Sequence, residues 1–168
     1  MATGTGEHET GEPAVAVGSD DAGFALKELI AAHLRESGYP VTDFGCDSPD
    51  PVDYPDVAFS LASAVERGEF TRGILICGTG IGMAIAANKV PGVRAAQAHD
   101  PYSAERARRS NDAQILALGA RVVGPALALS LVDTWLHAEF SGGASSRKVA
   151  KIASREAELR GAAQRPST

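Results

Sequence analysis

Short β-branched and apolar runs recur along the chain: Ala14-Val-Ala-Val17, Pro40-Val-Thr-Asp-Phe44, Gly73-Ile-Leu-Ile-Cys77, Val93-Arg-Ala-Ala-Gln97 and Gln114-Ile-Leu-Ala-Leu118. Each predicts a strand buried in a sheet, because a strand covered on both faces has no need to alternate with polar residues. Between the runs, apolar residues return at helical spacing: Leu26, Leu29, Ile30 and Leu34; Val57, Leu61 and Val65; Leu131, Val132, Trp135 and Leu136. Gly38, Gly68, Gly92 and Gly119 punctuate the segment ends. Strands alternating with helices imply right-handed crossovers, hence an α/β fold with a five-stranded parallel sheet covered by helices on both faces. No internal repeat is visible.

In such sheets ligands bind beyond the carboxyl ends of the strands, so the informative residues follow each strand directly. Here they are Gly18-Ser-Asp-Asp-Ala-Gly23, Gly45-Cys-Asp47, Cys77-Gly-Thr-Gly-Ile-Gly82, His99-Asp100 and Gly119-Ala-Arg121. The third of these follows the most apolar strand and opens a helix near Met83. Its glycines, Gly78, Gly80 and Gly82, let the backbone turn tightly and aim N–H groups outward at the positive end of the helix, which makes an anion cradle. It is not a dinucleotide fingerprint, since Met83 stands where the third glycine would be needed, and it lacks the Gly-Lys-Ser/Thr of a phosphate loop. Asp100 is only weakly placed as a ribose-binding acid.

A thiol beside such a cradle has its thiolate stabilised, so Cys77 reads as a base or nucleophile or, equally, as a small buried hydrophobe. Cys46 lacks that context and reads as structural. Of Asp20 and Asp21, one is explained as a helix cap and the other is left over. Arg121 falls where the crevice expects a phosphate clamp, and His99 is a candidate acid or base by location. Arg106, Arg108 and Arg109 with Asp112 read as a solvated helix face, and His33 and His137 as structural.

Composition narrows the classes. At 168 residues, 44% hydrophobic and 22% charged, the chain suits one globular domain. Residues 1–12 are expected to be a disordered lead-in, 13–160 the domain, and 161–168 a flexible tail. A formal charge of −5 argues against a nucleic-acid partner. The charge is uneven: from Ser145 onward it is +4, against −9 before it. That basic segment reads as a solvated helix, a dimerisation arm or a source of cations for an anionic ligand. With no membrane-length apolar stretch and no basic-then-apolar leader in residues 1–13, no membrane association is expected, and the expected location is the cytoplasm. Two cysteines make neither a disulfide framework nor a metal site.

The run from Ile74 through Cys77-Gly-Thr-Gly-Ile-Gly82 to Asn88-Lys-Val-Pro-Gly-Val-Arg-Ala-Ala96 resembles the signature of the ribose-5-phosphate isomerase B and galactose-6-phosphate isomerase family. Gly18-Ser-Asp20, Ala22-Gly23, Asp53-Tyr-Pro55, Pro101-Tyr-Ser103, Asn111-Asp112 and Leu118-Gly-Ala-Arg-Val-Val-Gly124 match in the same order, over about residues 14–155. The resemblance implies a Rossmann-like α/β/α sandwich, a homodimer or tetramer with composite sites, and a phosphorylated small sugar as substrate. The implied reaction is aldose–ketose interconversion through a cis-enediolate with no cofactor and no metal. By analogy Cys77 moves the proton between C1 and C2 and Thr79 serves their oxygens. The N–H groups of Gly78, Gly80, Ile81 and Gly82 would hold the enediolate; Asp20, Tyr54 and Asn111 the sugar hydroxyls; and Arg121 the phosphate.

The departures carry information too. Asp21 and Ser110 stand where the ribose enzymes have histidines, the second being the ring opener, and Gly142-Gly-Ala-Ser145 lacks a phosphate arginine, leaving Arg147 and Lys148 nearby. A tetrose 4-phosphate cannot close the furanose ring, so losing the opener costs it least. His99-Asp100, Tyr102-Ser-Ala-Glu-Arg106 and Ser110-Asn111 also resemble the branch acting on D-erythrulose 4-phosphate and D-erythrose 4-phosphate. Tetrose phosphate is therefore the expected substrate. The alternatives are ribose 5-phosphate, with His99 as opener, and a non-catalytic sugar-phosphate-binding module.

Overall fold

A computed structural model describes residues 13–163. The expectation for residues 1–12 lies outside the described residues, as does that for 164–168. The elements in chain order are β1 (Val15–Ser19), a 3₁₀ turn (Asp21–Gly23), α1 (Phe24–Glu36), β2 (Val41–Asp43), α2 (Tyr54–Glu66) and β3 (Arg72–Cys77). There follow α3 (Ile81–Ala87), β4 (Ala95–Gln97), α4 (Pro101–Arg109), β5 (Ile115–Gly119), α5 (Pro125–His137) and α6 (Ala144–Ala163). All five expected strands form, and every pairing is parallel, in the order β2-β1-β3-β5-β4.

Alternation along the strands divides the core in two. Val15, Val17, Ile74, Ile76, Leu116 and Leu118 face α1, α4 and α5, where Ile30, Leu34, Leu131 and Trp135 are buried. Ala16, Leu75, Cys77, Ile115 and Ala117 face α2 and α3, where Val57, Leu61 and Met83 are buried. The result is the three-layer α/β/α sandwich. Gly38 and Gly68 follow the ends of α1 and α2 with φ of 90° and 77°, and Gly92 sits in the turn before β4 with φ 79°, a conformation costly for residues with a Cβ.

Two expectations need correction, and the weakly placed Asp100 finds its role. The helix α6 runs to Ala163, past the domain end drawn at 160, because Ala162 and Ala163 favour continuation. Arg108 is not solvated: its side chain is 12% exposed and its guanidinium sits 2.7 Å from Asp112, which also takes Arg94 at 3.1 Å. Asp100 binds its own chain, its carboxylate accepting the Ser103 N–H at 2.7 Å as the cap of α4. The Ser103 hydroxyl and then this N–H, both bonding the carboxylate, hold its pKa below the usual aspartate value. Among the described residues no helix is long and apolar enough to cross a membrane.

Candidate active site

The carboxyl ends of β1, β3 and β5 meet at one edge of the sheet, where Ser19 pairs with Ile76 and Cys77 with Gly119. Cys77 closes β3 with its side chain turned to the α2–α3 face, 6% exposed. The chain then reverses through Gly78 and Thr79 into Gly80, at φ 77°. This turn brings the Gly80 N–H back onto Cys77 Sγ, a 3.1 Å hydrogen bond. The sulfur thus accepts a main-chain donor at the start of the loop. The next amide, of Ile81, donates to Thr79 Oγ1 at 3.3 Å, so the Thr79 hydroxyl keeps its own proton to donate. Close packing fixes the loop. A Cβ on Gly80 would come within 2.9 Å of the Leu118 carbonyl carbon, and one on Gly119 within 2.8 Å of the Thr79 backbone.

Around this floor stand the polar groups. Tyr54 opens α2 and lays its ring on Gly82, where an added Cβ would meet Cζ at 2.6 Å. Arg121 is tied by its N–H to the Gly78 carbonyl at 3.0 Å, and its Nη1 lies 3.4 Å from where a Gly78 Cβ would stand. Asp20 is the aspartate that caps, accepting the Gly23 N–H at 3.0 Å. Burial raises the Asp20 carboxyl above its usual value and the neighbouring Asp21 adds to this, while the Gly23 amide and the Arg121 charge act the other way. Asp21 opens the 3₁₀ turn beside it. His99 lies just beyond β4, its Nε2 accepting the Gly119 N–H at 3.0 Å.

Cys46 is buried behind the site, with Sγ 3.7 Å from Ser19 Oγ. Its loop is anchored by the wholly buried Lys27, which pairs with Asp43 and, at 3.0 Å, with Glu28. The other Asp43 oxygen accepts the Gly45 N–H at 2.8 Å. Among the described residues no three His, Cys, Asp or Glu side chains gather as metal ligands would.

The family model described as Ribose/Galactose Isomerase matches residues 15–152. The chain belongs to that family. A D-erythrulose-4-phosphate isomerase of Pectobacterium atrosepticum is 56% identical over 140 residues, spanning 82% of this chain and 91% of that protein. A ribose-5-P isomerase B of Listeria innocua is 55% identical over 135 residues, spanning 80% and 91%. The solved ribose-5-phosphate isomerase B of Clostridium thermocellum superposes with a TM-score of 0.85 at 53% identity, covering 86% of this chain and 98% of that one.

Within one copy of this aldose–ketose isomerase the predicted residues fall into two groups. Asp20, Asp21, Tyr54, Cys77, Gly78, Thr79, Gly80, Ile81, Gly82, His99 and Arg121 belong to the carboxyl edge. Ser110 and Asn111 do not, because they end α4 and precede β5. They lie at the amino edge, separated from Cys77 by the length of β5, about 13 Å of strand. Arg147 and Lys148 lie in the first two turns of α6, a helix with no buried residue. The isomerase also has a site-edge residue that pattern reading passed over: Gln97, whose Nε2 donates to the Thr79 carbonyl at 2.8 Å. Its signal was position, a polar residue ending an otherwise apolar strand at the edge where function was expected.

Proposed function

We propose that this isomerase interconverts D-erythrose 4-phosphate and D-erythrulose 4-phosphate through a cis-enediolate, with Cys77 as the proton-transferring base. The observation that carries the reading is the Gly80 N–H on Cys77 Sγ at 3.1 Å. It holds the sulfur in place at the start of the Gly78 to Gly82 loop, with a main-chain donor on it. The thiolate takes the proton from C2 of the aldose; negative charge passes to the C1 oxygen, where amides of the Gly78 to Gly82 loop other than those of Gly80 and Ile81 would receive it. The resulting thiol returns its proton to C1. The Thr79 hydroxyl passes the remaining hydroxyl proton from O2 to O1, leaving the ketone at C2. Asp20, Asp21 and Tyr54 would orient the sugar hydroxyls, and Arg121 would bind phosphate.

The two-edge division supports a homodimer or tetramer in which a second copy brings Ser110, Asn111, Arg147 and Lys148 over the first copy's Cys77. Exposed Arg147 and Lys148 would then complete the phosphate site, in keeping with the positive charge of the C-terminal segment. The choice of tetrose rests on Asp21 and Ser110, neither of which can act as an imidazole acid to open a furanose.

Ribose 5-phosphate is the second reading, favoured by the nearly equal identity to relatives of both names. It requires His99 to open the ring, and with Nε2 engaged by Gly119 only Nδ1 is free to do so. Steady-state kcat/KM on both sugar phosphates decides. A clear preference for the tetrose is expected, and a clear preference for ribose 5-phosphate would reject it.

A further inference from the structure

The short strand β4 stops at Gln97, opposite Ala117 and two residues short of the end of β5. The two polar side chains at this end, Gln97 and His99, reach inward to bond main chain on two different segments. The Gln97 amide donates to the Thr79 carbonyl at 2.8 Å, across 18 residues of chain. The His99 ring accepts the Gly119 N–H at 3.0 Å, across 20 residues, supplying an acceptor where β4 has already ended. These two anchor points touch one another: Gly119 packs so closely on Thr79 that even a Cβ would not fit between them. An imidazole nitrogen that accepts an N–H offers its lone pair, so Nε2 is the ring atom turned to Gly119 and Nδ1 faces away from that bond.

We propose that Gln97 and His99 are positioning residues, a bracket that fixes the Thr79 backbone and thereby the direction of the amides and the hydroxyl beside Cys77. The proposal deepens the reading of Cys77 as the base and depends on it for its effect on turnover. The bracket works through backbone placement: a shift of about an ångström in groups that must meet developing charge costs up to about a hundredfold in rate. The Thr79 carbonyl has its donor only while the Gln97 amide is present, and Gln97 is exposed, so replacing it disturbs no core packing.

The test uses the full chain with D-erythrose 4-phosphate and ribose 5-phosphate in parallel. Gln97→Glu, similar in shape but with no N–H to give, is expected to lower kcat about tenfold or more with KM within about twofold. His99→Leu should behave alike, while His99→Gln, whose amide oxygen can take the place of Nε2, should recover kcat to within about threefold of the parent. Exchange of the Gly119 amide hydrogen should quicken in His99→Leu and remain slow in His99→Gln. An unchanged kcat in Gln97→Glu overturns the bracket, as does a His99→Gln variant as impaired as His99→Leu. Should His99→Leu fail to fold, Gln97→Glu and His99→Gln still decide. Cys77→Ser in the same panel separates the two ideas: full activity there removes the base assignment, whatever the bracket variants do.

Discussion

The ring of Tyr54 lies flush against Gly82, with its hydroxyl oxygen 3.1 Å from the point a Gly82 Cβ would occupy and Cζ only 2.6 Å from it. The glycine is therefore a seat for the aromatic ring as well as part of the amide loop, and it couples the start of α2 to the start of α3.

Gly82→Ala should unseat that ring. A methyl at 2.6 Å from an aromatic carbon forces Tyr54 outward, and Tyr54 is free to move because it is already 40% exposed. The expected outcome is a KM raised about five- to tenfold, with a smaller change in kcat and only a modest loss of stability. Steady-state kinetics together with a thermal melt check this; an unchanged KM would remove Tyr54 from the sugar-binding set.

Asp20→Asn should separate stability from activity. Burial raises the pKa of Asp20, so between its unfolded and folded values the native state binds more protons than the unfolded one. Stability therefore falls as pH rises through that interval, and the cost of the buried charge is fully present at pH 7. Asparagine keeps an oxygen for the Gly23 N–H and carries no charge. The variant should melt at a higher temperature than the parent at pH 7 and lose that advantage in acid, where the carboxyl is protonated in both states. Its kcat/KM should drop if Asp20 orients a sugar hydroxyl.

Mixing variants should reveal the shared site. Cys77→Ser should lower kcat about 10²- to 10⁴-fold, and Asn111→Ala should impair turnover through the opposite edge of the molecule. In the proposed homodimer, refolding the two together one-to-one makes half of the dimers mixed, each with one intact site, restoring about a quarter of the parent activity. No recovery beyond the sum of the separate variants would place Asn111 outside the site.

Much of this was legible in the order of residues. The three central strands, β1, β3 and β5, announced themselves because strands buried on both faces must be apolar, Gly73-Ile-Leu-Ile-Cys77 most plainly; the edge strands β2 and β4 are half-buried or exposed, against the expectation of burial, and carry Thr42, Asp43 and Gln97. The amide cradle was legible for a similar reason: alternate glycines between a strand and a helix leave few options. The side-chain partners were hidden. Nothing in the sequence says that Asp20 caps and Asp21 does not, that Asp100 turns to Ser103, or that Arg108 folds onto Asp112, because each choice is made over three or four residues along an already formed turn. Gln97 and His99 were hidden further, since their partners lie 18 and 20 residues away and exist only once β4 has paired with β5. The two-edge division follows from topology: a helix that returns beneath its sheet carries its last residues to the far side, as α4 does with Ser110.

Gly80 cannot accept a side chain, both because of its left-handed backbone and because Leu118 stands against it. The loop after β3 is thus written in peptide groups, which point mutation cannot edit. Under the proposed assembly, descendants of this protein that acquire a new sugar would do so through side chains around that loop, such as Asp21 and a second copy's Ser110, while inheriting the peptide groups unchanged.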